Sequence, residues 1–213
     1  MKNVTIFGFS AASYVRTAIM ICEEKGVSYE IEPIEFGSPA HLEVQPFGKM
    51  PAFRHGDVLL HETLAIGVYV DRTFEGPALQ PADTLELAHM FKWTSSIADY
   101  GYQHLIRDLV LPRLVGPSRG QEPDEEAIKA NLPKIENFLQ EAQTALTKSK
   151  YLAGNSISLA DLFLAPIIAS VMPAPEGQAM VPSYKAVARW FEAMAARPSF
   201  TAAHPPPVTA AAE

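Results

Sequence analysis

The feature that most constrains this chain is its opening, where a strand, a helix and a second strand follow one another within about thirty residues. "NVTIFGF" is dense in β-branched and aromatic residues and reads as a buried first strand. From Ser13 to Lys25 the apolar positions Val15, Ala18, Ile19 and Cys22 recur at helical spacing, and Gly26 follows as a stop. "VSYEIEPIEF" then restores a strand pattern. Such a unit puts its two strands parallel, because a parallel pair needs a crossover of about a dozen residues or more.

The next stretch continues the same layer. "PFGKMPAF" leads into "AFRHGDVLLHE", two short strands around the turn "HGD", and "TLAIGVYVDRTF" follows as a helix. The order over residues 1–74 is therefore β-α-β, a short helix, then β-β-α: a small α/β domain. "EGPALQPAD", residues 75–83, carries two prolines and one glycine and reads as a linker. Beyond it only helical patterns occur, so residues 84–213 form an all-α domain. Thr84 to Val115 reads as one long helix, ended by "GPSRGQEP". Asp124 to Lys148 is another, with Ile128, Leu132, Ile135, Leu139, Ala142 and Leu146 at threes and fours. "SLADLFLAPIIASVM" is apolar nearly all round and should be buried on every side. "PSYKAVARWFEAMAARPSF" is amphipathic, and the tail "TAAHPPPVTAAAE" is expected to be poorly ordered or draped over the surface.

Composition excludes several classes of function. With 48 % hydrophobic and 19 % charged residues, 213 residues bury a sizeable core. A net charge of −7 argues against a nucleic-acid surface. Cys22 is the only cysteine, so neither an internal disulfide nor a thiolate metal cage is expected. No apolar run approaches the roughly 18 residues of a membrane span. The N-terminus lacks the pattern of a signal peptide, which makes a cytoplasmic setting the default.

Four local features bear on chemistry. In "KMPAF" Pro51 begins a strand, either as a plain edge proline or as a cis proline that lets Met50 pair with a ligand's peptide group. In "HETLAI" a strand passes directly into a helix. Thr63 is a reasonable N-cap there, the free amides suit a carboxylate, and Glu62 suits an ammonium. Together they suit an amino-acid head group; a simply capped helix is the alternative. "SLAD" fits a capping box between Ser158 and Asp161, with Ile157 and Leu162 as a hydrophobic staple, and carries no chemistry. Last, Ser10 and Ser13 stand at the mouth of the first helix, as chemical groups or as turn and cap residues.

In this order the pieces resemble a cytosolic glutathione S-transferase of bacterial type with a serine-type-like active-site loop, over roughly Val4 to Phe200. The marks are "SYVRTAIMICEEKG", "PFGKMPAF", "HGDVLLHETLAI", "YLAGNSISLADLFLAP" and "WFEAMAARPSF". The resemblance implies a thioredoxin-like domain followed by a helical one, a homodimer, glutathione as co-substrate without a metal, and a small apolar electrophile received beside the second domain. Residue by residue, it implies that Met50, beside cis Pro51, pairs with the cysteinyl part of glutathione. Glu62 and Thr63 would hold the γ-glutamyl end, and Lys49 would lie near the glycine carboxylate. The usual catalytic serine falls on position 12, which is Ala12 here. Ser13 is then the main candidate donor to the glutathione thiolate and Ser10 the reserve.

Tyr100, His104 and Arg107 fall at spacings of four and three, on one face of the long helix; the resemblance implies that this face, with Phe9, contributes to the electrophile site, and a plain solvated or dimer-contact surface is the alternative. Cys22, Trp93 and Trp190 read as core residues. The expected activity is attack of a glutathione thiolate on an electrophile. A glutathione-dependent isomerase or peroxidase, or a non-catalytic glutathione- or ligand-binding protein, is the alternative.

Overall fold

The first strand, β1 (Val4–Phe7), sits inside a four-stranded sheet of order β2-β1-β3-β4, with β2 at Tyr29–Glu32, β3 at Ala52–His55 and β4 at Val58–His61. The computed structural model describes residues 4–205. β1 runs parallel to β2, as the strand–helix–strand opening requires, and antiparallel to β3. β3 and β4 close a tight hairpin whose turn includes Gly56 at φ 60°.

Helix α1 (Ser13–Glu24) makes the crossover, burying Val15, Ala18, Ile19 and Cys22 as the spacing predicts. It ends at Lys25 with Gly26 in the left-handed region (φ 65°). The amide of Val27 donates to the Cys22 carbonyl and that of Gly26 to Glu23, which satisfies carbonyls of the last turn. Helix α2 (Pro39–Val44) starts at Ser38, whose hydroxyl accepts from the His41 amide. Its Val44 packs with Phe7 and Ala52, so α2 rests against the ends of β1 and β3. Helix α3 (Thr63–Thr73) leaves β4 directly.

The chain divides into two compact units, one up to Pro77 together with the residues from Arg197, the other Ala78–Ala196. The helical domain expected over 84–213 thus closes at Ala196 in this division. α9 (Pro198–Ala202) packs on α1, where Arg16 donates to the Ala203 carbonyl and Arg197 makes two bonds to Glu24. Of the tail expected to be loose, residues 206–213 lie outside the described residues.

The second unit contains α4 (Thr84–Ser96), α5 (Glu125–Lys148), α6 (Leu159–Val171), α7 (Pro175–Met180) and α8 (Lys185–Ala195). The long helix expected to Val115 changes character after Ser96. Residues Ile97–Val115 are π-wound, and the Gly116 amide donates to the Leu111 carbonyl five residues back. Ile97, Gly101, Leu105 and Leu109 are its buried fours, a repeat suited to the wider turn. α6 is buried on nearly every side, as its composition requires, and the expected capping box is present. Asp161 Oδ2 accepts from the Ser158 amide, while Oδ1 accepts from the Leu152 amide and Trp190 Nε1, each at 3.0 Å. Trp190 and Trp93 are core residues, the latter edge-on to Phe138. Among the described residues no single helix is long and apolar enough to cross a membrane.

Candidate functional site

Register gathers the candidate residues of the first unit. Phe7 pairs with Ala52, and Ala52 pairs with His61, so the last residue of β1, the first of β3 and the last of β4 form one row. The chain therefore leaves β1, enters β3 and leaves β4 at the same edge of the sheet. Three segments meet there: the loop from Gly8 to Ala12, the pair Met50–Pro51, and Glu62–Thr63. Gly8 (φ 148°) permits the approach, since a Cβ on it would stand 2.6 Å from Val15 Cγ2 and 3.4 Å from Met50 Cβ.

Neither serine caps α1. The extended residue before the helix is Ala12 (φ −76°, ψ 128°), with no side-chain cap. Ser13 is the first helical residue, 6 % exposed, and its carbonyl accepts from Thr17 Oγ1. Ser10 is half-buried in the turn closed by the bond from the Ala12 amide to the Phe9 carbonyl. The first-turn amides of α1 thus lack a side-chain acceptor from their own cap, which favours an anion at this mouth.

The Met50–Pro51 peptide is cis, the sharper of the two readings of "KMPAF". Met50 is half-buried, Pro51 buried and Lys49 exposed. At the third segment the sequence expectation needs correction. Thr63 is not the N-cap of α3 but its first residue, buried; the cap is Glu62. Glu62 holds φ 66° and ψ 115°, the one positive φ outside glycine among the described residues, and its exposed carboxylate makes no cap bond. Such a conformation costs on the order of 1–3 kcal/mol and recurs at ligand-holding positions. Nothing in the residue types announced it.

Cys22 is fully buried on α1, and burial, reinforced by Glu23, pushes its thiol up to about 12. It is structural, as read. His41, to which spacing assigned no role, is 2 % exposed and bonds to Gly37 and Lys49 through its two ring nitrogens. The pair Ser38–Pro39 marks the start of its helix; that the 37–49 loop folds back onto its ring has no sequence signal.

Phe9 is 41 % exposed in the loop after β1. In the second unit Tyr100 is 60 % exposed, and His104 Nδ1 stands 3.4 Å from Asp108 Oδ2. The π winding alters the face deduced from spacings of four and three. With more than four residues per turn, His104 stays near Tyr100, and Arg107 turns away. Arg107 lines a cavity of about 290 Å³ with Asp108 and Pro112, with Asp124, which caps α5, and with Asn131 and Lys134 of α5.

Comparison with known proteins bears on both units. Residues 6–78 match the family model of the glutathione S-transferase N-terminal domain, and residues 102–198 that of the C-terminal domain. The chain is 32 % identical over 208 residues to the probable glutathione S-transferase GSTF1 of Oryza sativa subsp. japonica, covering 93 % of this chain and 94 % of that one. Glutathione S-transferase I from mais, solved with an atrazine glutathione conjugate, is 30 % identical, with a TM-score of 0.85 over 94 % of this chain and 96 % of that one. A theta class glutathione S-transferase from Xanthomonas axonopodis pv. citri, solved with glutathione bound, is 26 % identical, with a TM-score of 0.87 over 98 % and 100 % of the two chains.

Proposed function

Since the chain belongs to the glutathione S-transferase family, we propose that glutathione lies along the row formed by the β1–α1 loop, Met50 and Glu62, with its thiol at the mouth of α1. The protein is a glutathione transferase. The observation that carries the residue assignment is the shared row at one sheet edge.

In this reading the Met50 backbone pairs with the cysteinyl peptide unit. The Glu62 carboxylate accepts from the γ-glutamyl ammonium. The Thr63 hydroxyl and the α3 amides donate to the γ-glutamyl carboxylate, and Lys49 meets the glycine carboxylate. Ser13, with Ser10 in reserve, donates to the sulfur. The thiol gives its proton to solvent water, the sulfur of the thiolate forms a bond to an electrophilic carbon, and the bond to the leaving group breaks as that group departs with its electron pair. Phe9 is the electrophile contact proposed within the first unit. The family resemblance supports a homodimer and a detoxifying role, and a single cysteine supports a cytoplasmic setting.

Magnitudes support a site without a serine at position 12. A free thiol has a pKa of about 8.5, and lowering it by about two units needs roughly 2.7 kcal/mol in favour of the anion. A helix N-terminus supplies up to about 2 kcal/mol in a partly buried geometry. One hydrogen bond to a charged group adds about 1.5–3 kcal/mol. The mouth of α1 and one donor are therefore sufficient, and Ala12 does not remove the chemistry.

Calorimetric titration with glutathione, alongside turnover of a model aryl halide, tests the reading. The wild-type protein binds and turns over, and Glu62→Ala weakens binding by about tenfold or more, because an ammonium loses its charged partner. Absence of binding by the wild-type protein contradicts the site. Binding without turnover supports the non-catalytic alternative.

A further inference from the structure

We propose that His41 is a positioning residue for the glutathione site, fixing the direction of the Met50 amide through the Lys49 carbonyl. This rests on the reading that the Met50 backbone holds the cysteinyl part of glutathione.

The geometry assigns the proton on the ring. Gly37 presents a backbone N–H to His41 Nδ1 at 2.9 Å, and a backbone N–H can only donate. Nδ1 is therefore the acceptor, and the neutral ring carries its proton on Nε2. Nε2 lies 2.7 Å from the Lys49 carbonyl oxygen and donates to it. The ring is itself held. The His41 amide donates to Ser38 Oγ at 3.2 Å, the side chain is almost fully buried, and the Phe36 ring stands 5.2 Å away.

The consequence for Met50 follows from peptide geometry. Met50–Pro51 is the cis bond of this segment, so the Lys49–Met50 peptide is trans and planar. In a trans peptide the carbonyl and the next N–H point in opposite directions. Drawing the Lys49 carbonyl onto the buried ring turns the Met50 N–H away from α2. One rigid side chain thus sets both ends of the segment from Gly37 to Lys49 that carries α2. An acceptor on one side and a donor on the other is the pattern that a neutral imidazole supplies.

The test compares His41→Gln, His41→Asn and His41→Ala by calorimetry with glutathione and by steady-state kinetics with the model aryl halide. The glutamine amide reaches the place of Nε2 and keeps a donor for Lys49; the asparagine amide reaches only the place of Nδ1. The expected result is glutathione Kd and KM raised about tenfold or more in His41→Asn and His41→Ala. In His41→Gln both stay within about threefold of wild type, and kcat at saturating glutathione is unchanged within about twofold in all folded variants. Wild-type Kd in all three variants overturns the proposal, as does a loss in kcat that glutamine does not rescue.

A second measurement needs no variant. Nitrogen chemical shifts of the wild-type histidines should show one neutral ring protonated on Nε2 with a hydrogen-bonded Nδ1, and an Nδ1–H tautomer for His41 overturns the assignment. Failure of the wild-type protein to bind glutathione overturns the underlying site. Binding by wild type with indifferent variants overturns only the role of His41.

Discussion

Burial at Cys22 decides the fate of the chain's single thiol. α1 turns it into the core between Ile19 and Lys25, and desolvation, followed by the charge of Glu23, pushes it up to about 12. The native protein is expected to give no reaction with an aromatic disulfide reagent at neutral pH, and one thiol per chain after denaturation. Rapid reaction of the native protein would contradict this. Cys22 was legible because helical spacing alone places it on the apolar face. Pro51 was legible only as two readings, an edge-strand proline or a cis proline; β3 lies inside the sheet and the peptide is cis, so position in the sequence alone did not choose between them. The caps were not legible. Ser13 and Thr63 are good cap residue types, yet the cap is whichever residue takes a non-helical backbone ahead of the helix, and those are Ala12 and Glu62. That choice depends on how the preceding strand ends, which residue preference does not report. The result bears on mechanism, since Ser13 does not cap its own helix.

Among the elements, α6 owes its start to one buried carboxylate. Burial raises the Asp161 carboxyl, working against four hydrogen bonds that favour its charged form: from the Leu152 amide, the Ser158 amide and hydroxyl, and Trp190 Nε1. Asp161→Ala leaves buried donors on three residues without a partner, each costing about 1–3 kcal/mol. A loss of about 3 kcal/mol or more in unfolding free energy is expected by denaturant titration, with glutathione affinity unchanged where the variant folds. A loss below about 1 kcal/mol would show that these donors find other partners. The Ser-x-x-Asp pattern announced this element plainly. The π winding of Ile97–Val115 stayed hidden, because no residue type announces it and only the burial of Ile97, Gly101, Leu105 and Leu109 at fours reports it. Gly101 records the closeness of that packing: a Cβ there would stand 2.7 Å from Phe138 Cζ.

For the whole molecule, the division into an α/β part and a helical part was readable from the switch in periodicity near residue 80. The return of the chain to the first unit at Arg197 was not, since it depends on contacts distant in sequence. Those contacts are charged. Burial acts to raise the Glu24 carboxyl, but hydrogen bonds from Arg197 and Ser199 and the Arg197 charge bring it below its ordinary range. A carboxylate lowered in the folded state adds stability above its unfolded value of about 4.3, and that stability is lost as pH falls through the folded value. Glu24→Gln should therefore cost about 1–2 kcal/mol at neutral pH and converge with wild type only as pH falls through the lowered folded value of Glu24; parallel stability curves would contradict this. In the proposed site the mouth of α1 holds the sulfur of glutathione as its anion. The most direct measurement of this is a pH titration of thiolate ultraviolet absorbance in the wild-type glutathione complex, repeated with Ser13→Ala. The bound thiol is expected to titrate about two units below the free value of about 8.5 and to move upward in Ser13→Ala. A wild-type complex titrating at the free value would contradict it.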